Sequence, residues 1–267
     1  IGIENSNILN YNVSSDTGSW RTVGAGGIVG QNNNNACIYN CYNNAKINAE
    51  TYNGGDNTGA YAGGMAGSSQ GKIYYCYNKG SIITKGSHSY AGGIIGQACR
   101  YGDISSCYNI GSISATGTSY VRGSGIIGEN GWSSSCWSIP VNNSYYLNNT
   151  TYSWYYGASG YTTGKVDSDT LKTYASTLGT AYEDDTFNIN EGYPILWWQA
   201  PTLELNKKQV YIKTNENIQL NLIESTDFTN AIGKELAMTD LTWTSSNENV
   251  ATVDSNGLVT GKSDGYA

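Results

Sequence analysis

The sequence predicts an all-β chain, in which a right-handed β-solenoid (β-helix) of about four coils with a helical C-terminal cap precedes a β-sandwich. Two short phrases recur in the same order with a period near 30 residues, and such periods are typical of solenoids and repeat arrays. β-Branched and aromatic residues recur between clusters of Gly and Asn, which indicates short strands joined by corners. One stretch alone carries the 3.6-residue apolar period of an amphipathic helix.

The first phrase is Gly, two apolar residues and Gly, and its first glycine advances by 37, 29 and 32 residues from copy to copy. Glycine suits these positions because it allows the neighbouring coil to approach closely. In a stack of coils, the first apolar residue of each copy would form one inward row. That row comprises Ile28, Met65, Ile94 and Ile126.

The second phrase contains Cys-Tyr-Asn and follows the first by about a dozen residues. Its copies are Ile38–Asn43, Ile73–Asn78 and Ile104–Asn109, with a shorter version at Ser135–Trp137. Equivalent residues of stacked coils lie one strand spacing apart, about 4.8 Å. We therefore predict a second inward row of isoleucines, a corner ladder of asparagines and a file of buried free thiols. The file would comprise Cys41, Cys76, Cys107 and Cys136, and disulfides that use the off-register Cys37 and Cys99 are the alternative.

A column of aromatic residues runs beside the predicted thiol file. Strand alternation directs this column outward if the cysteines point inward. Two interpretations stay open, namely half-buried packing or an exposed strip that stacks on sugar rings. The column comprises Tyr42, Tyr77, Tyr108 and Trp137.

The two phrases together resemble the GLUG repeat, which is found in bacterial surface proteins, including secreted peptidases that attack immunoglobulin. All four copies keep both glycines, and three keep Cys-Tyr-Asn. The departures are Met65-Ala66 in the second copy and Trp137-Ser138 in the last, where the regular stack is expected to end. The resemblance covers residues 24–150 and implies a surface-exposed repeat region without a catalytic residue.

Three segments complete the first predicted domain, residues 1–200. Residues 139–165, which include Trp154 and Tyr155, are interpreted as the last coil and a cap, or alternatively as a glycan platform. A capped helix is predicted over 168–178 as a C-terminal plug. Residues 190–199 resemble the closing strand that commonly follows such repeats in bacterial surface proteins, and this resemblance implies that Trp197 and Trp198 point to opposite sides, with at least one near the surface.

The second predicted domain, residues 202–267, resembles the bacterial Ig-like domain of group 2. The resemblance rests on the run from Leu241 to Gly261, and it implies Trp243 and Val253 in the core of an Ig-like β-sandwich and a hairpin turn at Asn256-Gly257. The family's last strand would follow Ala267, so we expect an incomplete domain in a monomer that dimerises only by swapping. Its strands are predicted at 203–212, 218–223, 241–245, 250–253 and 258–260.

The net charge and the side-chain chemistry narrow the classes of function that the sequence supports. The net charge of -7 argues against a nucleic-acid partner, and no apolar run reaches the length of a membrane span. Asp103 and Glu129 are the one acid pair that suits a solenoid glycoside hydrolase, which is a remote alternative to a chain that is not an enzyme. No cofactor is predicted, although Asp167–Asp169 and Glu183–Asp185 offer oxygen ligands for calcium.

The sequence therefore predicts a secreted or cell wall-attached bacterial surface fragment that binds host glycans or glycoproteins without membrane insertion. The alternative is a noncatalytic accessory region of a larger secreted glycosidase or peptidase. The candidate ligand-binding aromatics are Tyr42, Tyr77, Tyr108, Trp137, Trp154, Tyr155 and Trp197.

Overall fold

The structure, a computed structural model, forms two compact units. The first unit comprises residues 1–184 and 193–197, and the second comprises residues 185–192 and 198–267. The described residues are 1–4, 6–13, 21–52, 58–131, 136–147, 163–200, 203–224 and 238–267.

The first unit contains four parallel sheets, and each takes strands from successive repeats. The cap-side sheet contains β1 (Gly2–Ile3), β6 (Tyr42–Asn43), β11 (Tyr77–Asn78), β15 (Tyr108–Asn109), β19 (Ser144–Leu147) and β20 (Thr163–Val166). The flank sheet contains β5 (Cys37–Tyr39), β10 (Lys72–Tyr74), β14 (Ile104–Ser105) and β18 (Val141–Asn142). The glycine sheet contains β4 (Val29–Asn32), β9 (Ala66–Ser69), β13 (Ile95–Ala98) and β17 (Ile127–Asn130). The long sheet contains β2 (Asn7–Val13), β3 (Arg21–Gly26), β7 (Lys46–Tyr52), β8 (Thr58–Gly63), β12 (Ile82–Gly92) and β16 (Ile113–Ser124).

Both predicted inward rows lie in one buried apolar cluster. Ile38, Ile73 and Ile104 are partners across the flank sheet, and Val141 continues their row. The row from the first phrase follows the same order, because the amide of each residue donates to the carbonyl of its counterpart in the next coil. The members of that row are Ile28, Met65, Ile94 and Ile126, of which Ile28 is partly buried.

The glycines of the first phrase lie where two sheets meet. A Cβ atom at Gly67 would stand 2.5 Å from the amide nitrogen of Ala25, and one at Gly96 would stand 2.5 Å from the amide nitrogen of Ala62. Cβ atoms essentially never approach backbone so closely. The glycine sheet therefore packs backbone to backbone against the long sheet, as the predicted role of these glycines requires.

The predicted asparagine ladder is present at the corners of three coils. The side-chain amide of Asn43 donates to Asn78 Oδ1 at 2.7 Å, and that of Asn78 donates to Asn109 Oδ1 at 2.7 Å. Each asparagine also donates to the carbonyl two residues later in its own chain, at Ala45, Gly80 or Gly111. All three asparagines are fully buried, so the ladder fixes both the corner and the register of neighbouring coils.

The predicted thiol file holds for three cysteines and is wrong for the fourth. Cys41, Cys76 and Cys107 are buried and free, and each thiol donates to the carbonyl two residues before it. Burial raises the pKa of the Cys76 thiol well above its usual value, so this group stays protonated. Cys136 instead forms a disulfide with Cys99.

The physical reason for the displaced cysteine is an insertion before the fourth copy of the second phrase. That copy is Val141–Tyr146, in which Ser144 takes the place of cysteine: its hydroxyl accepts from the amide of Cys107 at 3.2 Å. The segment before it is held by Asn130, whose side chain bonds both the amide and the carbonyl of Ile139.

The predicted helix is broken into two pieces, α1 (Ser168–Lys172) and α2 (Ala175–Leu178). Asp167 caps α1, because its carboxylate accepts from the amide of Thr170 at 2.8 Å. The buried faces of both helices pack against tyrosines of the cap-side sheet, which places the helical cap on a side of the stack. The predicted closing strand is short: β22 (Ile195–Leu196) pairs with β21 (Tyr182–Glu183).

In the second unit, five short strands form two antiparallel sheets among the described residues. The predicted hairpin turn is confirmed, because Gly257 has a φ of 76° and its amide donates to the carbonyl of Asp254. The strand predicted at 241–245 is not formed; Trp243 in that segment is partly buried and its indole donates to the carbonyl of Met238. The strands are β23 (Leu203–Leu205), β24 (Asn217–Gln219), β25 (Leu222–Glu224), β26 (Ala251–Val253) and β27 (Leu258–Gly261).

Candidate functional site

The predicted aromatic column exists, but it is largely covered. The rings of Tyr42 and Tyr77 stack at 5.2 Å between centroids, and those of Tyr77 and Tyr108 stack at 4.8 Å. Only 2% of Tyr77 and 0% of Tyr108 are exposed, whereas Tyr42 is partly buried. Tyr145 is the fourth member in place of Trp137, because it pairs with Tyr108 across the sheet.

The helical cap covers this column. Leu171 and Leu178 of the helices lie in one buried cluster with Tyr77 and Tyr108. The hydroxyl of Tyr108 donates to the carbonyl of Pro194 within the cap segment. Of the two interpretations of the column, packing describes Tyr77 and Tyr108, and their rings are not accessible to a ligand in this structure.

Trp137 lies outside the column, on an exposed corner closed by the disulfide. Its side chain is 60% exposed, and its carbonyl accepts from the amide of Arg100 at 3.1 Å. Tyr101 is 66% exposed and, like Arg100, has a positive φ, which is uncommon for large side chains. We name Cys99, Arg100, Tyr101, Cys136 and Trp137 the clamped corner, since one disulfide and one backbone hydrogen bond join its two segments.

One strand of the flank sheet follows the clamped corner directly in the chain, because β14 begins three residues after Tyr101. Its outward positions alternate with the inward isoleucines and include Tyr39, Lys72 and Tyr74. Tyr39 is 55% exposed, and its ring centroid lies 6.1 Å from that of Tyr74. The Lys72 ammonium lies 5.9 Å from the Tyr74 ring centroid.

Asp103 holds the Tyr74 hydroxyl from the next coil. Burial of Tyr74 raises the pKa of its phenol, and the hydrogen bond with the Asp103 carboxylate raises it further. The other carboxylate oxygen, Oδ1, is buried and has no hydrogen-bond partner. We name Tyr39, Lys72, Tyr74 and Asp103 the tyrosine flank.

The alternation of residues in the second phrase could have identified the tyrosine flank from the sequence. In the second phrase, the residues on either side of each inward isoleucine must point outward, and in two copies the residue after it is Tyr. The clamped corner gave no such signal, because the pairing of Cys99 with Cys136 does not follow from repeat register. Of the other predicted site residues, Trp197 is exposed in a short 3-10 helix, Trp197–Gln199, and Trp154 and Tyr155 lie outside the described residues.

The two acids of the hydrolase alternative have separate surroundings. Glu129 is buried in the glycine sheet and forms an ion pair with Arg122. The Arg122 guanidinium lies 5.9 Å from the ring centroid of Tyr90, which itself stacks on Tyr61 at 5.3 Å. Glu129 therefore neutralises an arginine at the end of a tyrosine stack, while Asp103 belongs to the tyrosine flank.

The acidic clusters considered for calcium hold backbone amides. Asp167 caps α1, and the Asp185 carboxylate accepts from the amides of Ile189, Asn190 and Gly192 at 2.7, 2.7 and 2.9 Å. Across the parts of the chain that the structure describes, no three His, Cys, Asp or Glu residues are grouped to hold a metal ion. In the same parts, no helix has both the length and the hydropathy to span a membrane.

Comparison with known proteins identifies one part of the chain. No curated protein matches this chain. A solved structure described as a "putative immunoglobulin A1 protease from Bacteroides ovatus" is similar at 24% sequence identity and a TM-score of 0.46, over 72% of this chain and 57% of that one. This chain thus spans little more than half of that structure's length. Residues 208–267 match the family model of the bacterial Ig-like domain (group 2), so the chain contains a domain of that family.

Proposed function

We propose that this chain is a binding region of a secreted or cell wall-attached bacterial surface protein, and that it recognises host glycans or glycoproteins without catalysing a reaction. The observation that carries the proposal is the set of exposed aromatic side chains on the tyrosine flank and the clamped corner. Tyr39, Tyr101 and Trp137 are each more than half exposed, and Tyr74 lies beside Tyr39.

Aromatic rings suit sugar recognition because their faces are apolar while their edges and hydroxyls remain polar. Two tyrosines on adjacent coils present rings whose centroids are 6.1 Å apart and whose planes are tilted by 45°, so that each ring can face a different part of a bound sugar chain. A rigid platform also lowers the entropic cost of binding. Parallel strands fix Tyr39 and Tyr74, and the disulfide fixes the backbone beside Trp137.

The proposed architecture is a right-handed β-solenoid of GLUG type. The four parallel sheets and the register of the two phrases support it, because successive equivalent strands pair in order. Parallel strands in one sheet are connected with right-handed crossovers in nearly all proteins, which supports that hand here.

Two features support export to an oxidising compartment. Disulfides persist mainly in secreted and surface proteins, and Cys99 and Cys136 form one. Bacterial Ig-like domains are typical of bacterial surface proteins, and one lies at residues 208–267.

A glycan array with the whole chain tests the proposal. The double variant Tyr39→Ala/Tyr74→Ala and the single variant Trp137→Ala are expected to lose binding at least tenfold, whereas Tyr52→Ala, at a partly exposed tyrosine of the long sheet, is expected to keep it. Circular dichroism would confirm that each variant is folded. An array without any bound glycan would overturn the proposal and favour a noncatalytic accessory region of a larger secreted glycosidase or peptidase.

A further inference from the structure

The tyrosine flank contains one exposed cation beside its aromatic rings. Lys72 is exposed, and its ammonium lies near the face of Tyr74. Among the described residues, no carboxylate lies within ion-pair distance of Lys72, although Asp103 occupies the equivalent position on the next coil. The lysine therefore has a positive charge available to a ligand.

The carboxylate aligned with Lys72 on the next coil, that of Asp103, interacts with Tyr74 and forms no ion pair with Lys72. Asp103 is hydrogen-bonded to the hydroxyl of Tyr74, and its second oxygen is buried. The flank thus combines two aromatic faces with one ammonium directed to solvent.

This local charge stands out because the whole chain has a net charge of -7. An acidic protein repels anionic ligands at long range, so a cation within an aromatic site favours a ligand whose own negative charge meets it directly. We infer that the tyrosine flank recognises glycans with a carboxylate-bearing sugar, such as a sialic or uronic acid: the sugar rings stack on Tyr39 and Tyr74 while the carboxylate pairs with Lys72. This inference rests on the proposed function and specifies its ligand class.

Pairs of probes that differ in one carboxylate separate the contribution of the ligand's charge from that of its shape. We would measure binding of the whole chain to sialyllactose and to its methyl ester, and to a disaccharide ending in glucuronic acid and to its glucose counterpart. The carboxylate form is expected to bind about three- to fivefold more tightly in at least one pair, which is the upper part of the range for a solvent-exposed ion pair. Lys72→Gln should abolish this difference, so that the charged and the neutral probe of each pair bind the variant equally.

Lys85→Gln is the matched control. Lys85 is also exposed and also lies over a tyrosine ring, at 5.5 Å from the centroid of Tyr52, but it belongs to the long sheet. This variant should keep the carboxylate preference. Circular dichroism and thermal unfolding of both variants would show whether a loss reflects misfolding.

The possible outcomes distinguish the two proposals. Equal affinity for charged and neutral probes, or a preference that survives Lys72→Gln, would overturn the carboxylate inference and leave glycan binding intact. Binding of only neutral glycans on the wider array would do the same. A chain that binds none of these probes and no other glycan on the array would overturn both.

Discussion

Truncation of the middle asparagine of the corner ladder is the sharpest test of the stacked coils. Asn78→Ala removes three hydrogen bonds: the one accepted from Asn43 at 2.7 Å and those donated to Asn109 at 2.7 Å and to the Gly80 carbonyl at 2.8 Å. A buried N–H of Asn43 and a buried carbonyl are left without these partners, and each such group costs about 1–3 kcal/mol. We expect the free energy of unfolding to fall by about 4 kcal/mol.

Equilibrium urea unfolding followed by circular dichroism would measure this change from the shift in midpoint. Asn142→Ala is the control, because Asn142 is exposed on the flank sheet and its truncation is expected to cost less than about 0.5 kcal/mol. A loss below about 1 kcal/mol for Asn78→Ala, or a loss equal to that of the control, would refute the claim that the ladder holds neighbouring coils together.

Three further perturbations test other contacts of the first unit. Replacement of both Cys99 and Cys136 by Ser is expected to destabilise the fold by about 4 kcal/mol, from the entropy of a loop with a sequence separation of 37, and the same loss on reduction of the wild type would confirm it. Glu129→Gln leaves the Arg122 cation without its carboxylate and should lower the free energy of unfolding by about 1–3 kcal/mol, whereas an unchanged urea midpoint would contradict the ion pair. The hydrogen bond from the backbone amide of Thr170 lowers the pKa of the Asp167 carboxyl in the folded state. The stabilisation by this carboxylate is therefore present above its unfolded pKa and is lost as the pH falls through its folded pKa. Asp167→Ala should lower the melting temperature at pH 7, and by less at pH 2.

The repeating part of the fold is predictable because residues at equivalent positions of each phrase make equivalent contacts. Isoleucine at the first position of the second phrase fills the core, and asparagine at the last position bonds its counterparts. These interactions follow from the period alone, since each coil buries its apolar side chains against its neighbours.

The sequence pattern places the fourth copy of the second phrase wrongly, because the repeat departs from its own pattern there. Ser135-Cys136-Trp137 keeps the cysteine and an aromatic residue, yet Cys136 is bonded to Cys99 outside the file. The copy that pairs in register is Val141–Tyr146, which has Ser144 at the position of the cysteine and Tyr146 at the position of the asparagine. A contact between residues 99 and 136 is nonlocal, and no local pattern encodes it.

The location of the proposed binding surface also depends on a tertiary contact. Tyr77 and Tyr108 point out of the coils, as alternation predicts, but the local sequence does not encode what lies over them. The short helices α1 and α2 cover these rings, because Leu171, Ala175 and Leu178 bury their apolar side chains there. With this tyrosine column buried, the aromatic side chains that the second phrase exposes include Tyr39 of the flank sheet.

Fluorine NMR of the whole chain labelled with 5-fluorotryptophan would test most directly whether the clamped corner and the tyrosine flank bind glycans. The resonance of Trp137, assigned from the Trp137→Phe variant, is expected to shift when sialyllactose is added, while that of Trp243 in the Ig-like domain stays in place. A Trp137 resonance that does not move at saturating glycan, or a shift confined to Trp243, would contradict the account.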